Sequence, residues 1–463
     1  MEELLMRKIK AVAVLTAAVL VAGAFAGCGK KQAKDDVTEI TMWSGDTHSK
    51  AVMSELVNEF NQTIGKQNKV KFVYQIKEDA GNQLKVALQN GSEPDLFGVG
   101  TLSEFAENNY IVPLDDIEEI KETVAKNSDF QAVGSNVWDG KLYILPISSR
   151  VYGLAYNKDM FKAAGIVDDK GEAKPPETLD EMVEDAKILT DKAKQQYGII
   201  LPLKWSAWYE CEVAAVSRGI TGLVNGVYRV QDGKYDFNGI RPLAQAYLDM
   251  KKNGSVYPGA EGIDNDPARA RFAEGNIGMK FCATWDVGVW NDQFKAKCDW
   301  GIVPAPNVSK DEKYACLKEP SWTCAIGKNG LEKKGADKIA LVYNWLYSDE
   351  VQKTLCEKGV QMPWRADIIE KCNFKDAKKG WADFAKIVTL CDGWRGAMPR
   401  DISAYDNDGV DFVNRVWSGK VTLDKWIEER TKISNEGIEL YKKNNPQKDF
   451  SDRVDPTYDN RLK

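Results

Sequence analysis

The chain of 463 residues carries 14 tryptophans but a single histidine, His48, so it is richer in flat aromatic faces than in groups that move protons. Several tryptophans stand close to planar polar side chains. Trp43 is followed by Asp46, Trp205, Trp208 and Tyr209 precede Glu210, and Trp285 adjoins Asp286. Trp322 and Trp364 lie in EPSWT and MPWR. A ring flanked by carboxylate, amide or guanidinium groups can cover the weakly apolar C–H face of a sugar and bond its rim of hydroxyls. Large aromatic residues also fill cores, and Trp290, Trp345 and Trp381 are read that way. Glu78 and Asp79, after VKFVYQI, could accept from hydroxyls, although solvated loop acids are the commoner case.

Other chemistries fit less well. Acid–base catalysis on a polysaccharide needs a paired acid and base, and no convincing pair accompanies the one histidine, so an enzyme is not expected. Neither a CxxC motif nor a Cys/His cluster occurs, so neither a metal nor a cofactor is expected. With 63 basic and 69 acidic residues intermixed and a net charge of −6, there is no basic stripe for nucleic acid. Eight cysteines follow Cys28, all between Cys211 and Cys391. Outside the cytoplasm they could pair in any of 105 ways; buried free thiols are an equal alternative.

The N-terminus reads as a secretion signal. Arg7, Lys8 and Lys10 precede an uncharged run from Ala11 to Ala26, shorter than the roughly 20 apolar residues of a membrane-spanning helix. It ends in FAGC, which resembles the bacterial lipobox, with Phe25 where leucine is usual. That resemblance implies cleavage after residue 27, lipidation of Cys28, and a polar tether over residues 28–36. Two or more acyl chains would anchor the protein stably to the cell membrane on its extracytoplasmic face.

The body must position the aromatic groups. EITMWS and VKFVYQI have the short apolar pattern of strands, a helical pattern places Val52, Leu56, Val57 and Phe60 on one face, and PDLFGVG reads as a further buried strand. TLSE at Thr101–Glu104 and TLDE at Thr178–Glu181 have capping-box spacing. YGIILPL and GNIGMKFCATW are read as strands and IALVYNWLYSDEVQKTL as one amphipathic helix. Strand and helix alternate, which predicts an α/β fold with parallel strands.

From PISSRVYGLAYNKDMFKAAGI through PPETLDEMVEDAKIL, RFAEGNIGMKFCATWDVGVW, GIVPAPN and KGVQMPWR, the order of segments resembles the extracellular solute-binding proteins of carbohydrate-importing ABC transporters, the maltose-binding-like family. The resemblance implies a two-lobed, type II periplasmic-binding-protein-like fold. Residues 37–148 with 306–350 would form the N-lobe and residues 149–305 with 351–463 the C-lobe. Crossings between lobes are expected near Ile147 to Ser149, Pro304 to Pro306 and Ser348 to Leu355. It further implies a monomer that traps a carbohydrate in the interlobe cleft and hands it to permease subunits. Trp285 stands at the family's Gly-x-Trp position. Arg150 stands where maltose-type relatives carry an acidic group; a guanidinium there would suit an acidic sugar, or form a structural ion pair. A secreted polysaccharide-processing enzyme and a surface sensor for another solute on the same fold stay open at this point.

Overall fold

The first sheet is built on Thr38–Ser44 (β1), whose neighbours Val70–Ile76 (β2) and Leu96–Phe97 (β3) both run parallel to it. Every second residue turns inward, as the strand period requires: Ile40 and Met42 on β1 and Val70 and Phe72 on β2 are buried. Helix α1 (Lys50–Gln62) covers this sheet with Met53, Val57 and Phe60, one stripe at helical spacing. Helix α2 (Ala80–Asn90) ends at Gly91, where a φ of 63° suits a residue without Cβ. The computed structural model describes residues 37–128, 131, 135–208, 227–311, 313–393, 408–447, 449–459 and 461. The signal segment, Cys28 and Tyr209 lie outside the described residues.

Two capping boxes are predicted, and one forms. Thr178 accepts from the Glu181 amide, and Glu181 closes the box at the start of α4 (Leu179–Ile188). Thr101 precedes α3 (Leu102–Glu107) but its side chain makes no cap bond.

A strand of 13 residues, β4 (Leu145–Asn157), links two separate cores. Leu145 and Ile147 pack with Ile40, Met42 and Phe72. Val151, Leu154 and Ala155 instead join a second core containing Ile199 of β5 (Tyr197–Ile199), Met279 of β6 (Ile277–Ala283) and Trp300 of β7 (Trp300–Val303). All seven residues of β6 are buried, not only the alternating set read from the sequence, because both faces are covered. The chain returns on β8 (Cys316–Ile326), antiparallel to β4, with register shifts on either side of Trp322. Pro320 tolerates such a break because it has no N–H to lose from the ladder. Ala305 is buried in the second core and Trp322 in the first, with the register shifts of β8 at Pro320–Thr323.

The helix read over 339–355 is two helices, α5 (Ala336–Leu346) and α6 (Asp349–Glu357), because Ser348 caps the second one, accepting from Val351 N at 3.4 Å. Val351 and Leu355 belong to the first core and Cys356 to the second. A two-residue strand, β9 (Met362–Pro363), then pairs with Ser148 and Ser149 of β4. Further helices, including α7 (Trp381–Val388) and α8 (Leu423–Asn444), complete the described chain.

Candidate functional site

The carboxyl ends of β1, β3 and β6 and the crossing of β4 with β8 face one cavity of about 920 Å³, the position at which open α/β sheets bind ligands. Trp43 and Trp322 enter it from strands of the first core; Trp285 and Trp381 enter from the second. Each ring is held. Lys77 Nζ lies 4.4 Å from the Trp43 ring centroid, and Trp322 meets Tyr74 edge-on at 6.1 Å. Tyr152 meets Trp285 edge-on, also at 6.1 Å, and Trp381 Nε1 donates to the Cys356 carbonyl at 2.8 Å. Burial pushes the Tyr74 hydroxyl above its usual range and the Asp46 charge adds to this, partly offset by hydrogen bonding to Ser44 and Ser49.

Arg150 lines the same cavity. Its guanidinium carbon stands 5.1 Å from the Trp285 centroid, and Nη1 lies 3.3 Å from Glu319 Oε2. Tyr152 donates its hydroxyl to that same oxygen at 2.5 Å. The pairing follows from strand register, which sets Glu319 of β8 opposite Arg150 of β4. Arg150 is therefore one member of a charge pair whose acid is buried.

Asp46 is fixed from two sides: the His48 N–H donates to Oδ1 at 3.0 Å, and the Gln361 amide donates to Oδ2. Gln361 Oε1 and Trp322 Nε1 are buried and have no hydrogen-bond partner among the described residues. Both belong to residues that line the cavity. A hydroxyl group can satisfy either, because it accepts as well as donates. The charged lining residues are two acids, Asp46 and Asp292, and two cations, Arg150 and Lys378; Lys378 and Asp292 pair at 2.5 Å.

The remaining residues singled out in the sequence lie elsewhere. Asp286 is fully buried, bonded to Arg269 Nε at 2.5 Å and to the Ala283 N–H at 2.8 Å, so it secures the end of β6. Trp208 is a core residue, stacked on Tyr247 and packed on Phe412. Trp364 is buried beneath Lys318, whose ammonium donates to the Trp364 carbonyl at 2.7 Å. Trp205 is partly exposed beside a small crevice of the second core. Glu78 and Asp79 are exposed just outside the cavity, whose wall begins with Ala80 and Gly81. No local signal marks Gln361, Asp292 and Lys378 as lining residues or Glu319 as the partner of Arg150, and Trp381, whose sequence position reads as core, lines the cavity. No group of acidic, histidine and cysteine side chains among the described residues could hold a metal ion. No described helix is long and apolar enough to cross a membrane.

Two cores joined by crossing strands, with an aromatic cleft between them, define a two-lobed α/β binding protein of the type II class. The family model of bacterial extracellular solute-binding proteins matches residues 55–385, and the chain belongs to that family. The maltotriose-binding protein of Pyrococcus abyssi is 25% identical over 256 residues, 53% of this chain and 49% of that protein. The chain thus aligns with only about half the length of that relative. The sn-glycerol-3-phosphate-binding periplasmic protein UgpB of Brucella melitensis is 26% identical over 343 residues, 70% of this chain and 74% of that protein. Among solved structures, the sugar-binding protein MalE of Xanthomonas citri superposes with a TM-score of 0.66 at 19% identity, covering 89% of this chain and 100% of that one. The raffinose complex of the solute-binding protein RafE gives 0.58 at 17% identity, covering 86% and 99%.

Proposed function

We propose that this protein captures a neutral oligosaccharide in the cleft and delivers it to the permease of an ABC transporter, without catalysing a reaction. The observation that carries the reading is the convergence of Trp43, Trp322, Trp285 and Trp381 on one cavity from two different cores. Aromatic faces supply stacking area for sugar rings. Gln361 Oε1 and Trp322 Nε1 offer an acceptor and a donor that hydroxyls complete. At about 920 Å³ the cavity is near the top of the usual range of roughly 300–1,000 Å³ for small-molecule sites, which suits several linked rings better than one. Neutrality follows from the balanced lining charges and from the Glu319 carboxylate already paired with Arg150. An acidic sugar would have to compete with that carboxylate for the guanidinium.

Ligand touching both walls would favour the closed arrangement of the lobes, because its contacts with the second wall exist only there. In this reading residues 37–148 and 149–305 supply most of the two lobes, and the chain acts as a monomer. Lipid on Cys28 would hold the trap beside the permease and raise its effective concentration there. Titration calorimetry against neutral oligosaccharides, uronates, peptides and amines tests the reading. Heat from a neutral oligosaccharide is expected; binding of peptides or amines alone would overturn it.

A further inference from the structure

Trp322 Nε1 and Gln361 Oε1, the two buried cleft-wall atoms without a hydrogen-bond partner among the described residues, differ in kind. The indole nitrogen can only donate and the amide oxygen can only accept. The amide is oriented by Asp46: Gln361 Nε2 donates to Asp46 Oδ2, which leaves Oε1 as the unmatched end. Trp322 is 7% exposed and Gln361 6%, and both residues line the cavity. Strand register makes them neighbours. Ser148 of β4 pairs with Trp322 of β8 along one edge and with Pro363 of β9 along the other, so two strand spacings, roughly 10 Å, separate the flanking backbones. Both residues are tied to the first core. The Trp322 ring packs there against Tyr74, its backbone N–H donates to Ser148 Oγ at 3.2 Å, and Asp46, which holds Gln361, follows directly on β1.

We propose, on the saccharide reading above, that Trp322 Nε1 and Gln361 Oε1 select the ligand by its hydroxyls. One sugar ring sits against β4 at Ser148–Ser149, with one hydroxyl accepting from the indole and one donating to the amide. A ring that lacks either hydroxyl leaves a buried donor or acceptor unmatched, and such a site discriminates strongly against the analogue. Both atoms are shut from solvent in the arrangement described, so a hydroxyl enters as either side chain turns slightly, and a bulkier substituent is refused. Because both residues are fixed to the first core, these bonds form in the open and closed arrangements alike. Contacts of equal strength in two states leave the balance between them unchanged. Trp322 and Gln361 therefore set affinity and the choice of sugar, and Trp285 and Trp381, from the second core, supply contacts that favour closing.

The test is calorimetry on the full chain with maltotriose and raffinose, and then with singly deoxygenated forms of whichever binds. At least one deoxy form is expected to bind the parent about tenfold to a hundredfold more weakly. Trp322→Phe or Gln361→Leu should weaken the intact sugar by a similar factor and lose nothing further with that deoxy form. Small-angle scattering at saturation should show the same compaction in variant and parent. The indole N–H resonance that Trp322→Phe deletes from the nitrogen-15 spectrum of the parent should shift when ligand is added. If Trp322→Phe does not fold, Gln361→Leu carries the same comparison. Variants that bind as the parent does, or losses from variant and deoxy form that simply add, overturn the assignment of these two atoms while the saccharide reading stands. A parent that binds no saccharide overturns that reading, and the assignment with it.

Discussion

Arg150 Nη1 lies 3.3 Å from Glu319 Oε2, with the arginine side chain 27% exposed at the cleft and the glutamate side chain 4% exposed behind it. Removing the buried acid of an ion pair costs more than the pair itself contributes. Glu319→Ala is therefore expected to lower stability by about 2 to 3 kcal/mol, less than for a fully buried pair because Arg150 reaches solvent, and also to leave the Tyr152 hydroxyl without this acceptor. Glu319→Gln keeps an acceptor and is expected to cost about 1 kcal/mol. The same change removes the negative charge that faces Arg150 Nη1, so the cleft becomes more positive. Calorimetry should show uronate binding appearing or strengthening at least tenfold in Glu319→Gln, and an unchanged ligand profile would mean that Glu319 does not set the charge preference.

Tryptophans in the cleft and in the core should separate by readout. Trp285→Ala removes a platform from the cavity wall and is expected to weaken saccharide binding by tenfold or more, about 1.4 kcal/mol. Trp208→Ala empties a stacked core position beside Tyr247 and Phe412, and is expected to cost about 3 to 5 kcal/mol of stability. Denaturant titration alongside calorimetry checks both. A Trp208 variant that folds as stably as the parent but loses ligand would reverse the assignment.

The difference between those two residues shows what the sequence could and could not specify. Alternating apolar residues disclosed β2, where burial of one face is written in the chain at a period of two, and the short apolar run disclosed β1; the alternation in β6 marked the strand but not the burial of its second face. The break at Ser348 was also readable, because serine before Asp349 and Glu350 is a helix-start signal; the long apolar run obscured it. The face taken by Trp208 was not readable, as it depends on Tyr247 and Phe412, which are distant in sequence. Glu319 was missed for the same reason. It meets Arg150 across 169 positions of chain, through a strand register that no local spacing encodes. Gln361 and Trp364 both sit in KGVQMPWR, where the tryptophan is the stronger candidate by residue type, yet the glutamine lines the cleft and the tryptophan is buried.

Gln361 gives a prediction of its own. Its amide donates to Asp46, and its buried carbonyl oxygen has no partner among the described residues. Gln361→Glu would set a carboxylate against Asp46 and disfavour the doubly ionised pair. Ligand affinity measured at pH 7 is expected to fall about tenfold and to recover as acidification protonates one member of the pair. Gln361→Leu, which cannot be protonated, is expected to lose affinity without recovery. Identical pH profiles for the two variants would show that the link to Asp46 does not control binding.

Asp185, on the helix that follows the Thr178 capping box, offers a test of stability away from the cleft. Burial, with the charges of Glu181 and Glu184 added and Lys174 opposing, pushes its carboxyl up to about 6. An acid raised in the folded state holds its proton there after the unfolded chain has released it, so stability falls as pH rises from about 4 to 6. The full shift would amount to about 3 kcal/mol, but the site is only half-buried and solvent screening reduces this to on the order of 1 kcal/mol. Asp185→Asn carries no charge to desolvate. At pH 7 the variant should be more stable than the parent by about 1 kcal/mol, and at pH 4, where Asp185 is protonated in the folded chain, the two should unfold together. Thermal unfolding at both pH values decides it, and an equal gain at pH 4 and pH 7 would show that the carboxyl charge is not the cause.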